Sequence, residues 1–138
     1  FQEYNLIGVL SAQENVEYVL MLRGVPFGER RRQARAILAD VGLGGLETRL
    51  PNELSGGQQQ RVAVARAIVS KPAIVLADEP TANLDSKTGA ALLDMMRRLN
   101  DEQGVTFVFS THDPMVMERA RRVVHLKDGQ IEREERRP

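Results

Sequence analysis

Ala73-Ile74-Val75-Leu76-Ala77-Asp78-Glu79-Pro80 is an unbroken apolar run that ends abruptly in two acids and a proline. A short run of this kind predicts a strand buried on both faces, as in a parallel sheet. Val105-Thr106-Phe107-Val108-Phe109 repeats the pattern and ends in Ser110-Thr111-His112-Asp113. Between the two runs, Leu92, Leu93, Met96 and Leu99 recur at helical spacing, and Gly104 closes the helix. Strand, helix and strand make a βαβ unit, which predicts an α/β fold with parallel strands and a right-handed crossover. Ligands of open parallel sheets bind at the carboxyl ends of the strands, where Asp78, Glu79 and His112 all fall.

These three side chains suit a definite chemistry. A carboxylate directly after a buried strand fits a hard Mg²⁺ that keeps several waters, and a second carboxylate beside it can take a proton from an attacking water. An acidic loop capping the next helix is the plain alternative for the pair alone. His112 at the same edge is a candidate phosphate or water contact. His125 lies inside a strand pattern without polar company and receives no function, and Met95, Met96, Met115 and Met117 read as packing.

Upstream, Leu54-Ser55-Gly56-Gly57-Gln58-Gln59-Gln60-Arg61 opens a helix running to about Ser70. Ser55 and Gln58 have capping-box spacing. Two successive glycines are poor helix formers, and an oxyanion resting on the exposed amides of the helix mouth gives them a purpose, because a Cβ would hold it off. Ser11 and Glu14 share the capping spacing and start a helix to about Leu22. A second helix carries Ala34, Ile37, Leu38 and Val41 and ends at Gly42 to Gly45, so about Ser11 to Pro51 reads as a small helical lobe. Near the other end, Asp113-Pro114 starts a short helix, Val123 to Leu126 reads as a strand, and Asp128-Gly129 turns a hairpin into Gln130 and Ile131. The mixed-charge tail Glu132 to Pro138 is expected to fray.

The 138 residues are 42% hydrophobic and 28% charged, enough for one domain with a real core. No apolar stretch approaches the roughly 20 residues of a membrane helix, and no signal-peptide layout opens the chain. Without cysteine there is neither a disulfide framework nor thiolate zinc. Nineteen basic and 19 acidic residues cancel, so no global field recruits nucleic acid, and the cluster Arg30, Arg31, Arg32, Arg35 reads as a solvated helix face.

LSGGQQQRVAVARA over 54–67, LADEPTANLD over 76–85 and STHD over 110–113, in this order and spacing, resemble the ATPase subunits of ATP-binding-cassette transporters. The resemblance implies a partial P-loop NTPase core with a small α-helical subdomain, divided as 1–53 and 54–138. It implies that Ser55, Gly56, Gly57 and Gln58 belong to the signature motif, which closes over ATP held by a second ATPase subunit. Asp78 then matches the Walker B aspartate near Mg²⁺, Glu79 the general base, Asn83, Leu84 and Asp85 the loop at the dimer interface, and His112 the switch histidine. Gln2 looks like the glutamine that links core and lobe and touches nucleotide and metal. The implied cofactors are ATP and Mg²⁺. The implied partners are a transmembrane permease docked on the lobe and a second copy of the subunit, on the inner, cytoplasmic face of the cell membrane. Phe1-Gln2, Asn15-Val16-Glu17 and the triple glutamine look most like the lipoprotein-releasing and macrolide-export subgroup.

No GxxxxGK[ST] occurs, so the chain resembles the part of a subunit from the glutamine loop onward. Charge-assisted hydrogen bonds contribute about 1.5–3 kcal/mol each, so a chain without that loop is expected to bind ATP poorly and to be inactive alone. Its strands are expected to lack neighbours and to drive self-association. Two other readings stay open: the signature half of a chromosome-maintenance or repair ATPase, and a partner-binding module without turnover. The absence of sustained heptads between Gln2 and Ser55 speaks against the first, and Asp78, Glu79 and His112 together speak against the second.

Overall fold

Reciprocal caps set the helices of the lobe. In the computed structural model, which describes residues 4–138, Ser11 Oγ accepts from Glu14 N at 3.2 Å while Glu14 returns a carboxylate to Ser11 N at 2.7 Å, and α1 runs Ala12–Leu22. The second helix, α2, spans Phe27–Asp40, and a short turn at Pro51–Glu53 leads into α3, Gly56–Ile68. The expected capping box is present at α3: Ser55 Oγ accepts from Gln58 N at 3.2 Å and Gln58 Oε1 from Ser55 N at 2.9 Å.

Strand β1, Ile74–Asp78, is followed by α4, Ser86–Gln103, and by β2, Thr106–Ser110. The two strands pair in parallel with Ile74 opposite Thr106 and Asp78 opposite Ser110. Gly104 ends α4 at φ 71°, a left-handed position that glycine holds without penalty. Asp113 caps α5, Pro114–Arg119, and an antiparallel hairpin of β3, Arg122–Lys127, and β4, Gln130–Arg136, completes the order.

One core cluster joins Val16 and Leu20 of α1, Ala34 and Leu38 of α2, Val62, Ala65 and Ile68 of α3, and Leu92, Met96 and Leu99 of α4. The strands do not follow the expectation of two buried faces. Val75 is buried, but Ile74 is 58% exposed, Leu76 79% and Val108 48%. The cause is that α4 and its neighbours supply cover on one side, where Val75, Phe107 and Phe109 pack on the core. On the other, Leu76 and Val108 line an open cleft of about 1510 Å³ that Val124 and Leu126 of the hairpin share.

The tail is also more ordered than its charge suggests, because β4 continues to Arg136. Arg122 grips both carboxylate oxygens of Glu134 at 3.0 and 3.1 Å, and Arg137 N donates to Arg121 O at 2.8 Å. His125 likewise has polar company, with Nε2 3.1 Å from Glu135 Oε1. The basic face of α2 is solvated, with Arg31, Arg32 and Arg35 exposed, and its guanidinium groups also find partners. Arg32 holds Glu29 at 2.6 Å, Arg35 Nε donates to Gln13 Oε1 at 3.0 Å, and the guanidinium groups of Arg30 and Arg31 lie over the Phe27 ring.

Candidate functional site

The parallel register assembles the site. With Asp78 opposite Ser110, the next residues along each strand leave the sheet side by side, and Glu79 N donates to Ser110 O at 2.8 Å. His112 Nδ1 lies 2.7 Å from Glu79 Oε1. Facing an ionised carboxylate, which only accepts, that nitrogen carries the proton and leaves Nε2 for other contacts. The Glu79 side chain is 21% exposed and the His112 side chain 92%, so the pair sits at the rim of the strand ends with the histidine outermost. Asp78 is exposed at the end of β1.

The Glu79 backbone is held in the left-handed region at φ 45°, and Asn83 at φ 63°. A glutamate takes that conformation only where its surroundings fix it, and strain of this kind gathers at functional sites. The surroundings are visible. Thr111 Oγ donates to Glu79 Oε2 at 3.1 Å, Asp113 N donates to Thr111 Oγ at 3.0 Å, and Thr81 Oγ donates to Asp113 Oδ2 at 2.6 Å. The Thr81 hydroxyl and the Met115 amide hold the Asp113 carboxyl below its usual range. Thr81 and Thr111 receive no role from the motifs. The available signal was position, since Thr111 follows the last paired residue of β2 as Glu79 follows that of β1.

The signature segment stands apart from the Glu79 and His112 pair: among the described residues no hydrogen bond joins Ser55, Gly56, Gly57 or Gln58 to either. It is tied instead to the loop after Glu79. Gln60 Nε2 donates to Pro80 O at 3.1 Å. A Cβ on Gly57 would collide with Thr88 Cγ2 on α4, whereas one on Gly56 would meet Tyr4 Oη at 3.4 Å and Leu84 Cδ2 at 3.7 Å, ordinary contacts. Gly57 therefore has a packing reason of its own, and Gly56 is the glycine that packing leaves unexplained. Asp85 caps α4, accepting from Thr88 N at 3.1 Å, and the hydroxyl and amide of Thr88 hold its carboxyl below the usual range. Gln2 lies outside the described residues.

The profile of the ABC transporter family matches residues 1–82. This chain belongs to the ABC transporter family. An uncharacterized ABC transporter ATP-binding protein of Thermotoga maritima is 50% identical over 137 residues, covering 99% of this chain and 58% of that protein. The macrolide export ATP-binding/permease protein MacB of Campylobacter jejuni is 48% identical over 131 residues, 95% of this chain and 20% of its own length. Among solved structures, the post-hydrolysis dimer of the ATP-binding cassette MJ0796 bound to ADP and Pi superposes with a TM-score of 0.83 at 46% identity, covering 99% of this chain and 60% of that one. This member of the ABC transporter family thus spans about three-fifths of the cassette proteins it resembles. The α/β fold and the placing of the chain among ABC ATP-binding proteins agree with the motifs, and the family resemblance carries down to the macrolide exporters among its relatives.

Among the described residues no cluster of three or more His, Asp or Glu could hold a metal unaided. Asp78, an exposed carboxylate at the end of β1, is an oxygen donor of the kind that Mg²⁺ takes beside waters and phosphates. No helix of the described residues is long and apolar enough to cross a membrane.

Proposed function

We propose that this chain supplies the signature motif and the catalytic carboxylate of an ATP-hydrolysing transporter subunit that works in export or lipoprotein release. The observation that carries this reading is the Glu79 and His112 pair, 2.7 Å apart at the ends of two parallel strands beside Asp78. Glu79 takes the proton of the attacking water, and His112, joined to Glu79 through Nδ1, offers Nε2 to the terminal phosphate. Asp78 would hold Mg²⁺, which supplies charge neutralisation at the phosphates when bound. Gln2 would add a second contact to nucleotide and metal.

At the mouth of α3, the Ser55 hydroxyl already accepts from Gln58 N, so its own proton is left for a phosphate oxygen of ATP carried by a second copy of the subunit. Gln58 keeps its side-chain amide protons for the same anion, and the missing Cβ of Gly56 admits close approach. Asp85 belongs to the loop that meets the second copy. The lobe, whose Leu22 and Phe27 are 69% and 57% exposed, receives a transmembrane permease at the cytoplasmic face of the membrane. The division into 1–53 and 54–138 follows these two roles, docking and catalysis. Without a phosphate-binding loop the 138-residue chain alone binds ATP poorly and does not turn it over. The repair-ATPase reading is weaker, because α1 and α2 have 11 and 14 residues and form no long coiled coil.

The test is Glu79→Gln in the full-length protein. Turnover falls by about 10²- to 10⁴-fold, the usual contribution of a general base, while ATP binding persists. Steady-state ATPase within a few-fold of the parent overturns the role of Glu79.

A further inference from the structure

Thr111 touches Glu79 directly, and the roles assigned so far leave it unused. Its hydroxyl has a single proton, and its surroundings determine where that proton goes. The Asp113 amide donates to Thr111 Oγ at 3.0 Å, and Glu79 Oε2 lies 3.1 Å away on the other side. An ionised carboxylate only accepts, so the hydroxyl donates to Glu79. The Asp113 amide is held in turn, because the Asp113 side chain accepts from Met115 N at 2.9 Å and from Thr81 Oγ at 2.6 Å. The segments 79–81 and 111–113 therefore close into a ring of backbone and hydrogen bonds. Glu79 stands in it with Oε2 on Thr111 and Oε1 on His112.

We propose that Thr111 is a positioning residue for Glu79: it fixes the rotation of the carboxylate by holding Oε2, so that the remaining acceptor site of Oε1 faces the reacting water. This rests on the reading of Glu79 as the general base. A carboxylate held on one side only can rotate about its last bond, and a misplaced base loses rate without losing substrate.

The experiment compares Thr111→Val, Thr111→Ser, Glu79→Gln and the double variant Thr111→Val/Glu79→Gln in the full-length protein. It reads kcat, KM for ATP, and equilibrium binding of a fluorescent ATP analogue. Thr111→Val lowers kcat by about ten- to a hundredfold, with KM and binding within about twofold, and Thr111→Ser recovers kcat to within about threefold of the parent. The double variant is no slower than Glu79→Gln alone, because Thr111 acts through Glu79. If valine proves too crowded for folding, Thr111→Ala makes the same cut. The proposal is overturned if the valine or alanine variant keeps the parental kcat, if serine is as impaired as valine, or if the loss lies in KM. A slow Glu79→Gln beside an unaffected Thr111→Val removes the positioning role alone. An active Glu79→Gln removes the general base and the positioning role with it.

Discussion

Helices α1 to α3 and the strands that end beside Asp78, Glu79 and His112 use similar apolar residues and treat them in opposite ways. Val16, Leu38 and Val62 in the helices are 0% exposed, whereas Leu76 in β1 is 79% exposed and Leu126 in β3 71%. The helices bury their apolar stripes against one another, so α1, α2, α3 and α4 share one closed core. A parallel strand needs covering layers on both faces, and the face of Leu76 and Val108 is left open. Glu79 and His112 therefore sit on the half of the molecule whose apolar faces are the more open.

Truncation breaks this comparison most sharply. Leu38→Ala removes a fully buried side chain and costs about 2–5 kcal/mol in a denaturant melt of the 138-residue chain. Leu76→Ala stays within about 0.5 kcal/mol, as an exposed site does. Equal losses would mean that the outer face of β1 is covered in solution. The same face makes a second claim, that the 138-residue chain self-associates through its open strands and cleft. Sedimentation from low to high concentration shows mass growing with concentration, and Leu76→Lys reduces it. Mg-ATP leaves it unchanged, since no phosphate-binding loop is present. A monomer at high concentration, or association driven by nucleotide, would count against the open-edge reading.

Much of this contrast was legible in the sequence. Caps at Ser11, Ser55, Asp85 and Asp113 are local, and so is the alternation of strand and helix that brings Glu79 beside His112. What could not be read depends on what lies across from a residue. The apolar run 73–77 signals a strand but not whether both faces are met. The charged tail looked frayed because its partners, such as Arg122 for Glu134, are set by hairpin register. Gly57 also has a packing neighbour in Thr88, thirty-one positions away, that is invisible from the motif.

The two glycines sharpen the comparison at the junction between the regions. Gly57→Val forces a branched side chain against Thr88 and costs about 1–3 kcal/mol, the usual range for overpacking, measurable by thermal melt. Gly56→Val costs less stability, because among the described residues a Cβ there meets only the Tyr4 hydroxyl and a Leu84 methyl, at ordinary contact distance. In the full-length protein on a Glu79→Gln background, gel filtration with ATP separates fold from function. Gly56→Val loses the ATP-dependent dimer while melting closer to the parent than Gly57→Val does. If it dimerises like its parent, the glycine at the helix mouth admits no phosphate. Gly57→Ala combined with Thr88→Ser should melt above Gly57→Ala alone, because removal of Cγ2 gives the new methyl room.

Acid titration gives the smallest difference between the regions. Hydrogen bonds from the Thr81 hydroxyl and the Met115 amide hold the Asp113 carboxyl below the usual 3.8, and in the lobe the side-chain hydrogen bond from Arg32 holds Glu29 down at about 2. A carboxyl whose folded value is depressed adds stability above its unfolded value and loses it as pH falls through the folded one. Thr81 is 6% exposed, so Thr81→Val removes a shielded bond worth about 1 kcal/mol, a few degrees of melting temperature at pH 7. Glu29 and Arg32 are 42% and 71% exposed in their side chains, and solvent screens that pair. Glu29→Gln therefore moves the melt less than Thr81→Val. Both differences shrink below the unfolded carboxyl values, Thr81→Val on crossing 3.8 and Glu29→Gln from 4.5 down to about 2. Melts of parent and both variants between pH 7 and 2 measure this directly. A Thr81→Val difference that grew on acidification would show that Asp113 is not the group Thr81 stabilises.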